Sequence, residues 1–334
     1  MSASPKGTVV IADYDFGDVE VERSIICGAG FELVAAQCKS QDDVIAAAAD
    51  ADAVITQYAE IGKEAIDHFN RCRVIARYGI GVDIVDVDQA TRRNILVTNV
   101  PNDWCSNEVA DHAVALLLAL VRKLPRYHNA TRSGEWRWQT GQPIQRMQEG
   151  TLGLLSFGFI AQAVAERMKG FGVRIIASDP YANADDARAA GVALVPFEQL
   201  LRESDYLVIQ APLTDETRGL FDEPVLRRMK RGAILVNTAR GPIVSDEALY
   251  RVLKEGWLSG AGLDDLEEEP AKRASWQPTH PLFSLDNVII TPHAAYYSEQ
   301  SIATVRRFAS EEVVRVLRGE APRSPVNRVA SAHH

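Results

Sequence analysis

The stretch that most constrains this chain is residues 151–181, TLGLLSFGFIAQAVAERMKGFGVRIIASDPY. Residues 151–157 form an apolar run suited to a buried strand. From 158 to 169 the spacing turns helical, with Ile160, Val164 and Met168 on one face and Gln162, Glu166 and Lys169 on the other. Gly170 and Gly172 end that helix, and a second apolar run, 173–177, closes on Ser178, Asp179 and Pro180.

Strand, tight turn, helix and strand closing on an acidic residue is the opening of a dinucleotide-binding unit. The free N–H groups of the helix start face a pyrophosphate, and the carboxylate accepts from a ribose hydroxyl. An aspartate here favours NAD, because a 2′-phosphate would meet a like charge. The glycine fingerprint is degenerate. Ser156-Phe157-Gly158-Phe159-Ile160-Ala161 keeps only its middle glycine, the one that lets backbone approach phosphate. Ser156, at the tight turn, is expected to strain it. A plain βαβ turn is the competing reading, and the rest of the chain has to decide.

A chain of 334 residues has room for two domains, and 46% hydrophobic with 24% charged residues is ordinary for a globular protein. The net charge of −9 argues against a nucleic-acid or anionic membrane surface as partner. The N-terminus lacks a signal-like apolar segment, and the longest apolar stretch, 113–121, is far short of a membrane span. Cys27, Cys38, Cys72 and Cys105 form no Cys-x-x-Cys pair, which fits reduced thiols, a cytoplasmic location and no metal site.

Short apolar runs at 8–12, 31–36, 53–57, 74–78 and 95–99 alternate with helical patterning at 41–49 and 63–70, which predicts a parallel sheet covered on both faces. Arg77-Tyr78-Gly79-Ile80-Gly81-Val82-Asp83 falls at the end of the fourth run, where such sheets bind ligands, and its glycines can present backbone N–H groups to an anion. A plain turn is equally compatible. Residues 101–106 read as a linker, with Ser106 as N-cap of a helix over 107–123 that is apolar all round in its middle. Such a helix is expected to be buried on every side, in part against a second copy of the chain. Further strands are predicted at 206–210, 233–237, 259–263 and 288–291, and helices at 198–203, 224–230, 246–255 and 298–318. The ends of these strands, with Asp179, Pro212, Arg240, Asp264 and His293, should line one edge of a parallel sheet.

Arg240, Glu269 and His293 suit one reaction. A carboxylate beside an imidazole favours its charged form and keeps it ready as a general acid. A guanidinium holds a carboxylate in a two-point fork. Each residue alone is ambiguous: arginines after strands are commonly surface residues, glutamate runs exposed loops, and lone histidines structural.

The order of the glycine turn, Asp179, Arg240-Gly241, Leu263-Asp264-Asp265-Leu266-Glu267-Glu268-Glu269-Pro270 and Pro292-His293 resembles the D-isomer-specific 2-hydroxyacid dehydrogenase family. The segment Thr291-Pro292-His293-Ala294-Ala295-Tyr296-Tyr297-Ser298-Glu299-Gln300 looks most like the branch that includes the C-terminal binding proteins, corepressors that bind NADH. The resemblance implies two doubly wound parallel-sheet domains, Rossmann-like and flavodoxin-like, with a cleft between them. Residues 1–103 plus 299–334 would be the substrate domain and 104–298 the NAD-binding domain, with hinges near 104 and 296. It implies an oxidoreductase interconverting 2-oxo and D-2-hydroxy acids, with His293 as acid/base, Glu269 its partner and Arg240 on the substrate. Tyr78, Gly79, Ile80 and Gly81 would supply the carboxylate-binding turn. Ser156, Gly158, Phe159, Ile160, Asp179, Pro212, Thr217, Thr238, Ala239, Arg240, Asp264 and His293 would line the NAD site. Three departures from the family pattern stand out: Ser156 for glycine, Phe159 for arginine, and Asp265-Leu266 for a Val-Phe pair. The first two predict weakened NADH binding. A cofactor-sensing scaffold and a low-activity member are the alternatives. Tyr58, Tyr78, Trp104, Tyr296 and Tyr297 are candidates to line a pocket larger than glyoxylate needs.

Overall fold

The computed structural model describes residues 5–101, 103–269 and 277–329; Asn102, Pro270 and the last five residues, each within a segment discussed above, lie outside them. The chain divides into two units. One comprises Met1–Trp104 and Ser298–His334, the other Cys105–Pro270 and Ser275–Tyr297.

In the first unit five strands pair in parallel: β1 (Thr8–Ile11), β2 (Glu32–Ala35), β3 (Ala53–Thr56), β4 (Val74–Arg77) and β5 (Leu96–Thr98). Their order, β2-β1-β3-β4-β5, is flavodoxin-like. β3 is buried at every position, as a strand covered on both faces must be. One layer of cover is the long helix Glu299–Leu317, which starts on a reciprocal capping box between Ser298 and Ser301. It is fastened to the Glu20–Gly28 helix by a buried fork, in which Arg306 Nε and Nη2 donate to the two oxygens of Glu22 at 2.9 and 2.8 Å. Tyr78, at the end of β4, donates its hydroxyl to the same carboxylate at 3.2 Å. Sequence patterning gave no hint of the Glu20–Gly28 helix.

In the second unit seven parallel strands follow: β6 (Thr151–Leu155), β7 (Arg174–Ser178), β8 (Ala193–Leu194), β9 (Tyr206–Ile209), β10 (Ile234–Asn237), β11 (Gly260–Leu263) and β12 (Val288–Ile290). The order β12-β11-β10-β9-β6-β7-β8 reverses direction between β6 and β9, and ligands of such sheets bind beyond the carboxyl ends of the strands at that reversal. The Phe159–Lys169 helix packs Ala161, Val164, Ala165 and Met168 into the core, so of the apolar face read from the sequence Val164 and Met168 are buried while Ile160 is only half-buried. Gly153 in β6 has no room for more: a Cβ there would lie 2.0 Å from Ser204 Oγ.

Two expectations about the next helix need correction. It spans Ser106–Val121, so Ser106 is its first residue rather than its cap; Cys105 takes the cap position without a side-chain capping bond. Nor is the helix buried all round within one chain. Val109, Ala113, Leu116, Leu117 and Leu120 are buried, but Ala115 is exposed and Val114, Leu118 and Ala119 are only half-buried. The helix expected at 224–230 is a single turn, Glu223–Leu226. Among the described residues no helix is long and apolar enough to cross a membrane.

Candidate active site

Every strand of the second sheet except the edge strand β8 delivers polar residues at its carboxyl end. After β6, Ser156 adopts a left-handed backbone, φ +76°, the conformation a glycine would take there without cost. Its hydroxyl donates to Asp179 Oδ2 at 3.2 Å, and the Phe157 N–H donates to the same oxygen at 2.8 Å. The Tyr181 N–H donates to Asp179 Oδ1 at 2.8 Å. The acidic residue at the end of β7 is thereby fixed over the β6 turn. Gly158 caps the Phe159–Lys169 helix without any side-chain acceptor, and a Cβ added to it would meet nothing within 4 Å. That is open backbone at a helix N-terminus, the feature a pyrophosphate requires. Phe159 is 57% exposed at the first turn, with Ile160 half-buried beside it.

Beyond β9, Thr217 donates its hydroxyl to the Pro212 carbonyl at 2.7 Å and holds the 212–217 loop. Beyond β10, the turn is shaped by a residue the sequence reading passed over. Asn237 accepts from the Ala239 N–H at 3.0 Å and donates to the Arg240 carbonyl at 2.8 Å. Its amide is buried, and it presets Thr238, Ala239 and Arg240. The Arg240 guanidinium rests on the Ala239 carbonyl at 2.8 Å.

The end of β12 carries His293, also left-handed at φ +52°, where histidine is tolerated better than most side chains. Asp264, after β11, imposes that shape. One carboxylate oxygen accepts from Ala294 N–H at 2.9 Å and the Thr291 hydroxyl at 2.6 Å, and the other accepts from Ala295 N–H at 2.8 Å. His112 of the Ser106–Val121 helix completes the support, its Nε2 lying 2.9 Å from Thr291 Oγ1. Asp264 is 2% exposed, so its carboxylate is spent largely on the His293 turn.

His293 Nδ1 is hydrogen-bonded to Glu269 Oε1. Asp265 stands against both, its carboxylate one of three groups whose nearest oxygens and ring nitrogen all lie within 4.8 Å of one another. Burial, reinforced by the Glu269 carboxylate, pushes the Asp265 carboxyl up to about 6. Tyr296 meets the His293 ring edge to face, centroids 5.9 Å apart.

In the second unit the predicted catalytic and NAD-lining residues fall in segments that follow the carboxyl ends of its strands, with His293, Glu269 and Asp265 in one cluster and Ser156 on Asp179 in another. The predicted substrate turn belongs to the first unit. There Gly79 is at φ +152°, and Tyr78 and Gly79 are buried while Ile80 and Gly81 are half-buried. With its hydroxyl on Glu22 and its ring against Phe16 at 5.1 Å, the Tyr78 side chain is core. What this turn offers a ligand is main chain. Of the other aromatic candidates, Tyr58 is buried and Tyr297 is 57% exposed.

A sheet reversing at β6 and β9, an acidic residue closing β7, an uncapped glycine turn and an imidazole–carboxylate pair on the same edge define a dinucleotide-dependent oxidoreductase. The comparisons narrow this. Residues 114–295 match the NAD-binding domain of D-isomer specific 2-hydroxyacid dehydrogenases. The chain is 40% identical over 293 residues to a glyoxylate reductase of Korarchaeum cryptofilum, covering 86% of each, and 39% identical over 289 residues to one of Pyrococcus furiosus, covering 84% and 83%. It is also similar to the structure of D-lactate dehydrogenase from Aquifex aeolicus complexed with NAD and lactic acid, with a TM-score of 0.84, 26% identity, and 93% and 96% of the two chains covered. The chain belongs to the D-isomer specific 2-hydroxyacid dehydrogenase family and is an NAD-dependent enzyme of that class.

Proposed function

We propose that this protein reduces small 2-oxo acids to D-2-hydroxy acids, with His293 as the proton donor. The observation that carries the reading is the Nδ1 bond of His293 to Glu269, which fixes the ring's orientation and tautomer as a general acid requires. Bound NADH would supply the hydride for the carbonyl carbon. The imidazolium of His293 gives its Nε2 proton to the carbonyl oxygen, and Glu269 holds the ring in the required tautomer and steadies its charge. Arg240 forks onto the substrate carboxylate and polarises the adjacent carbonyl. The main chain of the Tyr78–Gly81 turn is proposed as a further donor to the substrate carboxylate. The open helix start at Gly158 and the carboxylate of Asp179 suit the pyrophosphate and the adenosine ribose.

Glyoxylate is the first substrate to test, given what the relatives are named, with hydroxypyruvate and larger 2-oxo acids after it. Purified protein should oxidise NADH with at least one of them. His293→Ala should cost on the order of 10²–10⁴-fold in kcat, the usual worth of a positioned general acid, while circular dichroism stays unchanged. Full turnover in that variant would remove His293 from the mechanism. A cofactor-binding scaffold of the corepressor kind becomes the better reading if no 2-oxo acid is turned over and a peptide partner is captured stably.

We assign the working form as a homodimer joined through the Ser106–Val121 helix region. Ala115 lies exposed on that helix, and Trp136 and Trp138 further on are 89% and 67% exposed. Sedimentation showing only a 36.7 kDa species would overturn the assignment. The four thiols are all free, in keeping with a reducing cytoplasm.

A further inference from the structure

We propose that Asp265 is a positioning residue of the acid/base pair: its carboxylate, packed between Glu269, His293 and the Gly241 amide, keeps the imidazolium form of His293 available and extends 2-oxo acid reduction to higher pH. The proposal rests on His293 being the proton donor.

The placement is specific. Asp265 Oδ2 accepts from the Gly241 N–H at 3.2 Å, and Oδ1 accepts from the Leu266 N–H at 2.8 Å. The β10 turn and the 264–269 loop are pressed together there, since a Cβ on Gly241 would sit 1.8 Å from the Leu266 carbonyl oxygen. Asp265 thus joins the backbone that carries Arg240 to the loop that carries Glu269, with His293 against its carboxylate. It is 8% exposed.

A merely structural strut would need only an acceptor for the Gly241 amide, which an asparagine also provides. The charge is what distinguishes an aspartate. Groups facing it are Glu269 on its own loop, His293 from the β12 turn, and Asp246 from the start of the Asp246–Lys254 helix, whose carboxyl is itself influenced by Asp265, Glu267 and Glu268. Arg240 immediately precedes the Gly241 amide. With Asp265 ionised, the protonated imidazole faces two carboxylates rather than one. An added opposite charge within ~4–6 Å favours a charged group by about one pH unit or more. Below the pH at which Asp265 ionises, it holds a proton and the pair behaves as Glu269 and His293 alone. The same charge opposes the anionic substrate, so the benefit belongs to the proton transfer and the cost to binding.

The experiment compares wild type with Asp265→Asn. Reduction of glyoxylate by NADH is followed from pH 5 to 10, and the His293 ring is titrated by NMR, its signal assigned with His293→Gln. In Asp265→Asn the basic limb of kcat should move down by about one pH unit, a loss about tenfold larger on the alkaline side than on the acid side. The His293 titration midpoint should move with it, and KM for glyoxylate should fall. A loss equal at every pH, with the His293 titration unmoved, would reduce Asp265 to a strut. If Asp265→Asn does not fold, wild type alone decides: the His293 signal should show a second inflection near the ionisation of Asp265, and its absence overturns the proposal. Failure of wild type to turn over any 2-oxo acid sinks the proposed reaction instead, while the NMR titration still judges Asp265.

Discussion

At Ser156, a hydroxyl replaces the hydrogen that a left-handed turn prefers, and the same hydroxyl leans on Asp179. Holding a non-glycine residue there costs ~1–2 kcal/mol, partly offset by the hydrogen bond to the carboxylate. Ser156→Gly should therefore raise stability by about 0.5–1 kcal/mol, read from urea denaturation. It should also release an acceptor site on Asp179, whose carboxylate has about four and already accepts from three donors. Combined with Phe159→Arg, which adds a charged hydrogen bond worth ~1.5–3 kcal/mol to an exposed position at the helix start, NADH affinity should rise about tenfold or more by calorimetry. Equal affinities in the double variant and wild type would show that the degenerate fingerprint is no handicap. The strain at Ser156 was legible because one position in a glycine pattern was wrong. Asn237, His112 and Asp265 were harder to read. Each is a single polar residue whose role comes from partners brought alongside by folding, and no spacing rule announces it.

Whole elements were legible where the chain carries a mostly apolar run. Eleven of the twelve described strands, the largely exposed β2 and the half-buried β12 included, fell within a residue or two of their predicted bounds, whereas the two-residue β8 was too short for a pattern. The Leu124–Arg132 helix buries none of its residues, so no core-facing run marked it in the sequence. The Glu20–Gly28 helix was missed for a different reason: its inner face includes an acid. Glu22 is 0% exposed, and it is balanced by Arg306 from the far end of the chain. Hydrogen bonds that Arg306 donates to Glu22, and then to Asp18, hold its guanidinium more firmly protonated than usual against the cost of burial. Glu22→Gln leaves that guanidinium half-paired in the core. The expected cost is ~3–5 kcal/mol, measured by chemical denaturation, and a change below about 1 kcal/mol would mean that water already relieves the pair. Because Tyr78 hangs on the same carboxylate at the end of β4, the variant should also raise KM for the 2-oxo acid if the Tyr78–Gly81 turn binds it.

For the whole molecule, the acidic 264–269 loop makes stability depend on pH with an unusual sign. Several carboxyls, such as Glu203 and Glu223, are held below their ordinary range by arginine, and they favour the folded state as pH rises. Asp246 runs the other way. Burial, with Glu267, Asp265 and Glu268 nearby, pushes its carboxyl from 3.8 up to about 7, although the Glu267 N–H donating to it at 3.0 Å opposes this. A carboxyl raised on folding binds its proton more tightly in the native state. Its contribution is complete below about pH 4 and is lost as pH climbs through 7, so above that the buried charge opposes folding. Asp246→Asn keeps an oxygen for the Glu267 amide and cannot ionise. Its stability advantage over wild type should be small at pH 4, grow between pH 4 and 7, and level off at on the order of 2 kcal/mol beyond. Urea midpoints across pH 4 to 9 measure it. A constant difference at all pH values would mean that Asp246 ionises as freely in the fold as in the unfolded chain. The net charge of −9 adds general self-repulsion in the same direction, but that background is shared by the variant to within one charge and cancels in the comparison.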